Sequence, residues 1–253
     1  MQSISFLGVG VQAVVSLLVG IRLASLARRT GRFPELALSL ATLLMPVVGY
    51  PSALVAIGLE RAQLPGVTPV FFVAVSAMMI GVSLYYAFTW RVFRPAAAWA
   101  PVLWALGSWV MLGSAGAATG HVELRGTIDA GVQSALGWAV FTVAAVIVAY
   151  AWNTFESFRY YLNARRQLRL GLVEPAVCNR FLLWSLSTGG WLVLAVVATV
   201  GLVASGQNPL RSPGFSLAVG VVGLVNSACN TLCFMPPRWY LDWLGRPRAA
   251  RAL

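Results

Sequence analysis

The sequence predicts an all-α, polytopic membrane protein, a bundle of seven transmembrane helices with its N-terminus outside and its C-terminus in the cytoplasm. Its 253 residues are 59% hydrophobic and only 10% charged, whereas a soluble domain carries about 25% charged residues. Seven apolar segments are long enough to cross a bilayer, and arginines flank them mainly on one side. No stretch between these segments is long enough to form a separate soluble domain.

The predicted spans are separated by short connections rich in Gly, Pro and Arg, residues that interrupt or flank membrane helices. Each span reaches the roughly 20 mostly apolar residues that a helix needs to cross the hydrocarbon core. The spans are residues 4–27, 35–59, 67–90, 96–119, 130–158, 177–205 and 213–235. The fourth is the weakest, because the stretch from Gly113 to Gly120 is only weakly hydrophobic. Six spans would leave both termini on one side of the membrane, and seven place them on opposite sides.

The placement of arginine predicts the orientation. All eighteen basic residues are Arg, and fifteen fall on one side of the predicted bundle, leaving only Arg61, Arg125 and Arg211 on the other. Cytoplasmic flanks retain positive charge, so the arginine-rich side is predicted to be cytoplasmic. The net charge of +11 then indicates topology and contact with anionic lipid headgroups, and it does not indicate nucleic-acid binding. The Arg, Ala and Gly usage is typical of a GC-rich bacterial genome, which predicts a bacterial inner membrane.

Two segments are predicted to extend beyond the bilayer on the cytoplasmic side. The fifth helix continues without Pro or Gly as far as Arg169, so its basic end, from Arg159 to Arg169, is the predicted docking surface for a cytoplasmic signalling partner. Residues 236–253, after Pro236 and Pro237, are predicted to form a basic interfacial tail whose Trp and Tyr side chains lie at headgroup depth. A homo-oligomer is compatible with this architecture.

The sequence argues against several classes of membrane enzyme. The one histidine, His121, is placed in an external loop, so the several intramembrane ligands of zinc hydrolases and haem proteins are missing. The chain has no Lys, which excludes a retinal bound covalently as a Schiff base. No Cys-x-x-Cys pair is present, so a thiol oxidoreductase is disfavoured. We therefore predict no catalytic residue, no metal site and no cofactor.

A kink in the second span predicts a cavity in the centre of the bundle. Pro46 and Pro51 flank Tyr50 and should bend that helix away from a neighbour. The candidate lining residues on the second, third, sixth and seventh spans are Tyr50, Tyr85, Tyr86, Trp184, Trp191, Asn226 and Asn230. Such a cavity, open toward the outer leaflet or outer face, would suit a mostly apolar guest with one or two polar groups. The alternative is that these aromatic rings fill the gap and the Asn side chains fix helix packing.

The one carboxylate predicted to lie within a span is Glu156, near the cytoplasmic end of the fifth helix. An ionised carboxylate at this depth needs a partner. The candidates, in order, are Arg159 on the same helical face, Arg180 at the start of the next span, and Arg22. The alternative is that Glu156 belongs to a proton relay or switch.

Several strings resemble those of a set of uncharacterised bacterial seven-helix membrane proteins. They are Gly49-Tyr50-Pro51, Phe155-Glu156-Ser157, Gly171-Leu172-Val173-Glu174-Pro175 and Phe234-x-Pro236-Pro237. The resemblance covers nearly the whole chain and implies the seven-helix fold, but it carries no activity and no site residue. In shape, the chain is similar to the heptahelical rhodopsin and receptor class without the retinal lysine.

The leading hypothesis is a receptor-like sensor that binds a small apolar ligand or a lipid and signals through a cytoplasmic or membrane partner. The alternative is a small-solute transporter with its site near the kinked second span. An intramembrane enzyme is the least favoured of the three.

Overall fold

A computed structural model describes residues 2–205 and 212–245, and the described chain is almost entirely helical. Seven of its helices are long and apolar enough to cross a membrane, which confirms the predicted all-α bundle of seven transmembrane helices. The spans are Leu7–Thr30, Phe33–Arg61, Val67–Phe93, Trp99–Arg125, Leu136–Arg169, Pro175–Ala204 and Pro213–Phe234. The orientation of this bundle in the membrane stays a prediction.

The helices follow one another through short connections. In chain order they are α1 (Gln2–Thr30), α2 (Phe33–Leu43), a π-helical segment (Leu44–Gly49), α3 (Tyr50–Arg61), α4 (Val67–Phe93), α5 (Trp99–Arg125), α6 (Ile128–Ser134), α7 (Leu136–Arg169), α8 (Pro175–Ser205), α9 (Pro213–Phe234) and α10 (Arg238–Gly245). Glycine ends α1 and α5, because Gly31 and Gly126 adopt positive φ angles of 64° and 74°, which cost a residue without Cβ little.

The second span is irregular where its prolines predict it to be. The segment Leu44–Gly49 is π-helical, and it separates α2 from α3. Pro46 and Pro51 cannot donate backbone hydrogen bonds, so the regular helical ladder is interrupted around them. A Cβ on Gly49 would come within 2.6 Å of Met78, and one on Gly81 within 2.2 Å of Met45. The irregular segment therefore packs closely against the third span, α4.

The seven spans close into a ring. Each span packs along its neighbour in chain order, and α9 returns to pack along α1. The third span, α4, also reaches α7, the fifth span, so it lies nearer the centre than the others. The helices α1 and α4 finish, and α8 begins, on the same side of the bundle. We call this side the arginine-rich end, because Arg28, Arg29, Arg91, Arg94 and Arg180 lie there.

The short helix α6 lies at the opposite end. The fifth span was predicted to begin at residue 130, but Ile128–Ser134 forms this separate helix and the span itself begins at Leu136. The Thr127 side chain caps α6 by accepting a hydrogen bond from the Ala130 amide, and the Ile128 amide donates to Glu60 Oε1 over 2.6 Å. His121, which was predicted in a loop, lies in the last part of α5, where its Nδ1 is 3.0 Å from Ser134 Oγ. The helix α5 continues to Arg125 because Gly126, rather than Gly120, provides its left-handed end.

The predicted interfacial tail begins as a helix. After Pro236 and Pro237, α10 buries Tyr240 and Leu244 against the bundle, and Asn179 Nδ2 at the start of α8 donates to the Tyr240 hydroxyl. Burial is the main cause that raises the pKa of Tyr240, and the hydrogen bond from Asn179 opposes it. Arg211 and the tail residues Arg246, Arg248 and Arg251 lie outside the described residues.

Candidate functional site

A small cavity lies in the centre of the bundle, beside the π-helical segment. Five of the seven residues predicted to line it do so, namely Tyr50, Tyr85, Trp191, Asn226 and Asn230. Its volume is about 20 Å³, which is enough for about one water molecule. Pockets for small organic ligands have volumes of roughly 300–1,000 Å³. In this conformation, the cavity therefore has room for a guest the size of water and not for a larger apolar ligand.

Aromatic rings close this cavity on one side. The rings of Tyr50 and Trp191 stack with their centroids 5.7 Å apart, and both also line a second cavity of about 10 Å³ toward Val9 and Val219. The structure thus contains a small cavity at the predicted place together with stacked aromatic rings beside it. The predicted residues surround a real space, but their rings occupy most of it.

Two of the predicted lining residues lie elsewhere. Tyr86 is buried on the far side of α4, where its hydroxyl donates to the Ala145 carbonyl over 2.6 Å and its ring packs on Gly107. Trp184 does not line the cavity, and its ring centroid lies 6.1 Å from that of Tyr85, which does. The reason for the first correction is geometric, because consecutive side chains on a helix point about 100° apart. Tyr85 and Tyr86 cannot both face the centre.

Gln12, Ser16 and Tyr150 are among the seven lining residues that the sequence interpretation missed. Gln12 and Ser16 are four residues apart on an apolar helix, which is a recognisable signal because polar residues at membrane depth are rare. Gln12 Nε2 donates to Ser16 Oγ over 3.1 Å, and Ser227 Oγ on α9 donates to Gln12 Oε1 over 2.8 Å. These hydrogen bonds join the first and seventh spans beside the cavity.

The asparagine pair on α9 continues this polar layer. Ser187 Oγ on α8 donates to Asn226 Oδ1, and Asn230 Nδ2 donates to the same oxygen over 3.3 Å. Both Asn side chains also line the cavity. They therefore fix the packing of the sixth and seventh spans and present polar groups to the cavity at the same time.

A second polar layer is centred on Asn153 of α7, which is fully buried. Asn153 Nδ2 donates to Thr89 Oγ1 on α4 over 2.7 Å, and Asn153 Oδ1 accepts from Trp184 Nε1 on α8 over 2.7 Å. Ser157 Oγ, one turn further along α7, donates to Asn153 Oδ1 over 3.3 Å. Asn153 thus connects the third, fifth and sixth spans through one side chain.

The partner of Glu156 is Arg94, which was not among the three predicted arginines. Arg94 Nε donates to Glu156 Oε1 over 2.6 Å, and the carboxylate side chain is only 3% exposed. Arg94 follows the last residue of α4, where the chain leaves the helix, and α4 packs against α7. The guanidinium therefore reaches the buried face of α7.

Arg159, Arg180 and Arg22 form no ion pair with Glu156, although they are close to it in sequence or predicted depth. Arg159 is exposed and one turn nearer the end of α7. Arg180 and Arg22 line a separate groove with Arg29. Glu156 Oε2 is buried, and no described residue donates a hydrogen bond to it.

A larger cavity opens beside this ion pair at the arginine-rich end. Its volume is about 320 Å³, and Arg94, Glu156, Arg159, Asn163 and Gln167 contribute its polar lining. Phe93, Tyr160 and Phe181 supply apolar walls from three different helices. We call this cavity the vestibule.

Among the described residues, no three His, Cys, Asp or Glu side chains are grouped so that they could hold a metal ion. The three cysteines, Cys178, Cys229 and Cys233, are free and buried. Comparisons with protein-family models, with curated proteins and with solved structures found no match.

Proposed function

We propose that this chain is a receptor-like membrane sensor in which the central cavity and the vestibule are coupled. The observation that supports this function is a series of contacts that leads from the cavity to Asn153, about one helical turn from Glu156. Tyr85 lines the cavity and contacts the Trp184 ring, and the Trp184 indole donates to Asn153. Glu156, which lines the vestibule, follows Asn153 by three residues on the same helix.

The guest of such a sensor would enter by moving aromatic rings. The cavity of about 20 Å³ would enlarge if the Tyr50–Trp191 stack opened or if Tyr85 moved. A small, mostly apolar molecule or lipid chain with one polar group would bind the enlarged state better than the closed one, and this difference in affinity shifts the population. Aromatic faces would supply contact area, and Asn226 or Asn230 would orient the polar group.

Movement of Tyr85 would be transmitted through hydrogen bonds. Its neighbour Trp184 shares Asn153 Oδ1 with Ser157, and Asn153 also holds Thr89. A displaced Trp184 loses the buried hydrogen bond from its indole N–H to Asn153, which costs about 1–3 kcal/mol in a folded protein. The α4–α7 contact would then rearrange, and the Arg94–Glu156 pair is part of that contact.

We further propose that the arginine-rich end faces the cytoplasm of a bacterial cell and that the signalling partner docks there. Arg165, Arg166 and Arg169 are exposed near the end of α7. This basic helical surface suits a partner with an acidic face. Retention of arginines on the cytoplasmic side supports the orientation.

Fusions test the orientation. We expect alkaline phosphatase fused after Leu253, outside the described residues, to be inactive and a fluorescent protein fused there to be bright. Alkaline phosphatase fused after Gly126, between α5 and α6, is the matched control and should be active. Activity of the first phosphatase fusion without fluorescence would contradict this orientation.

Distance measurements test the coupling. In a variant with all three native cysteines replaced, spin labels at positions 91 and 170 would report the separation of the α4 and α7 ends. We expect Trp191→Ala, at the cavity, to add a second population of distances, because it removes one ring of the closing stack. Val197→Ala is the control, since Val197 lies on the same helix and is 50% exposed.

The vestibule variant Glu156→Gln serves as the positive reference, because it weakens the Arg94 contact directly. The coupling proposal fails if Glu156→Gln changes the distances while Trp191→Ala and Val197→Ala both match the parent. It also fails if Val197→Ala changes them as much as Trp191→Ala.

A small-solute transporter is the second candidate, and the π-helical segment favours it. Met45 and Pro46 of that segment line the central cavity, and irregular backbone beside a cavity often marks a transport site. A cysteine introduced at Asn226 separates the two functions. A transporter exposes this position to a membrane-impermeant thiol reagent from both sides of the membrane in turn. A sensor closed at one end exposes it from one side at most.

A further inference from the structure

A groove on the outside of the bundle lies between α1, the first turns of α8 and the last turn of α9. Its volume is about 580 Å³, within the range of pockets that hold small organic molecules. It lies at the arginine-rich end, where a bilayer would surround the spans. It is separate from the vestibule, because the two cavities share no lining residue.

Three arginines meet in this groove. Arg22 and Arg29 are seven residues apart on α1, and Ser25 lies between them on the same face. Arg180 reaches the groove from α8. All three side chains are exposed, and within residues 2–205 and 212–245 no carboxylate forms an ion pair with them. The groove therefore concentrates positive charge that the described protein does not neutralise.

The groove also has apolar lining, and along α1 this lining extends past Arg22, away from the arginine-rich end. Leu18 and Ile21 are 51% and 56% exposed, and Phe234 forms the wall on α9. With a rise of 1.5 Å per residue, Leu18 lies roughly 16 Å from Arg29 along α1. The groove thus has an apolar end at Leu18 and Ile21, next to Arg22, and cationic side chains from Arg22 to Arg29.

We propose that this groove binds an anionic phospholipid of the leaflet at the arginine-rich end. Its phosphate would contact Arg22, Arg29 and Arg180, since guanidinium groups bind phosphate oxygens in pairs. One acyl chain would lie against Leu18, Ile21 and Phe234. Charge complementarity selects an anionic headgroup, and the apolar end selects a lipid over a free anion. The proposal is independent of the sensor function.

The site also accounts for an arginine at an unfavourable depth. Arg22 lies eight residues before the end of α1, and a lone charge at that depth is costly unless it finds a partner. A lipid phosphate drawn toward Arg22 would supply that partner. The same partner would neutralise Arg180, whose backbone carbonyl is 3.9 Å from Cys233 Sγ.

Native mass spectrometry of the full chain tests the site. The probes are phosphatidylglycerol and phosphatidylcholine with identical acyl chains, added to the protein in detergent. We expect phosphatidylglycerol to remain bound and phosphatidylcholine to dissociate. The triple variant Arg22→Gln, Arg29→Gln, Arg180→Gln should bind phosphatidylglycerol on the order of a hundredfold more weakly. The control Arg165→Gln, Arg166→Gln, Arg169→Gln removes the same charge at the same end and should bind like the parent.

Three outcomes would overturn the proposal. Equal retention of both lipids would show that charge is not recognised. An equal loss in the control variant would show non-specific attraction to the arginine-rich end. Displacement of the lipid by inorganic phosphate would assign the arginines to a free anion. A triple Lys variant, Arg22→Lys, Arg29→Lys, Arg180→Lys, guards against misfolding, because it keeps the charge and should retain more lipid than the Gln variant.

Discussion

Replacement of Arg94 by Ala is expected to destabilise the folded protein by about 3 kcal/mol. The reason is that Glu156 is buried at the α4–α7 contact, with Arg94 Nε as its only ion-pair partner among the described residues. Removal of the guanidinium leaves the carboxylate in a poorly hydrated position with no compensating charge. The loss of stability should be at the lower end of the range for buried ion pairs, because Arg94 is 32% exposed and the vestibule adjoins it.

The measurement is the midpoint of thermal unfolding in one detergent. Arg91→Ala is the matched control, since Arg91 lies three residues earlier on the same helix, is exposed, and contacts the Trp90 ring at 4.4 Å. Removal of the Arg91 guanidinium should lower the free energy of unfolding by less than about 1 kcal/mol. The double variant Arg94→Ala, Glu156→Leu should recover much of the lost stability, because it removes the unpaired charge. A double variant less stable than Arg94→Ala would contradict this explanation.

The fold was predictable because the bilayer restricts the alternatives. Every backbone amide and carbonyl inside the hydrocarbon region must be satisfied within the chain, so long apolar segments become helices. This rule holds even for the Gly-rich stretch from Gly113 to Gly120, which is helical throughout. The same rule stops at the membrane surface, where local contacts such as the Thr127 cap and the hydrogen bond from the Ile128 amide to Glu60 hold α6. Such local contacts are not visible in hydropathy.

The types of residue that line the candidate site were predictable, but the directions in which their side chains point were not. Aromatic and Asn residues near a proline kink predicted a central cavity, and Tyr50, Trp191 and Asn226 do surround one. The choice between Tyr85 and Tyr86 depends on the rotation of α4 against its neighbours, which the sequence does not encode locally. The volume of about 20 Å³ depends on how rings pack, and interiors fill space closely.

The Arg94–Glu156 ion pair does not follow from the spacing of these residues in the sequence. Arg159 was the first choice because it lies three residues from Glu156, whereas Arg94 lies 62 residues away. The contact exists because α4 packs against α7 as well as against its neighbours in the ring. Arg94 belongs to the arginines predicted at the same membrane face, but the choice among them depends on which helices are neighbours.

Replacement of Gly8 by Ala, at the contact between α1 and α9, is expected to lower the free energy of unfolding by about 1–3 kcal/mol. A Cβ on Gly8 would lie 2.2 Å from the Gly220 carbonyl oxygen, and backbone cannot move aside as a flexible side chain can. Close approach through small residues is a common way for membrane helices to pack, and here it holds Gln12, one turn further along, against Ser227.

The matched control is Gly10→Ala, two residues away, where a Cβ meets nothing within 4 Å and helix propensity should raise stability by less than about 1 kcal/mol. Thermal unfolding of both variants in the same detergent gives the comparison. Equal midpoints for Gly8→Ala and Gly10→Ala would mean that the first and seventh spans are further apart than this packing requires.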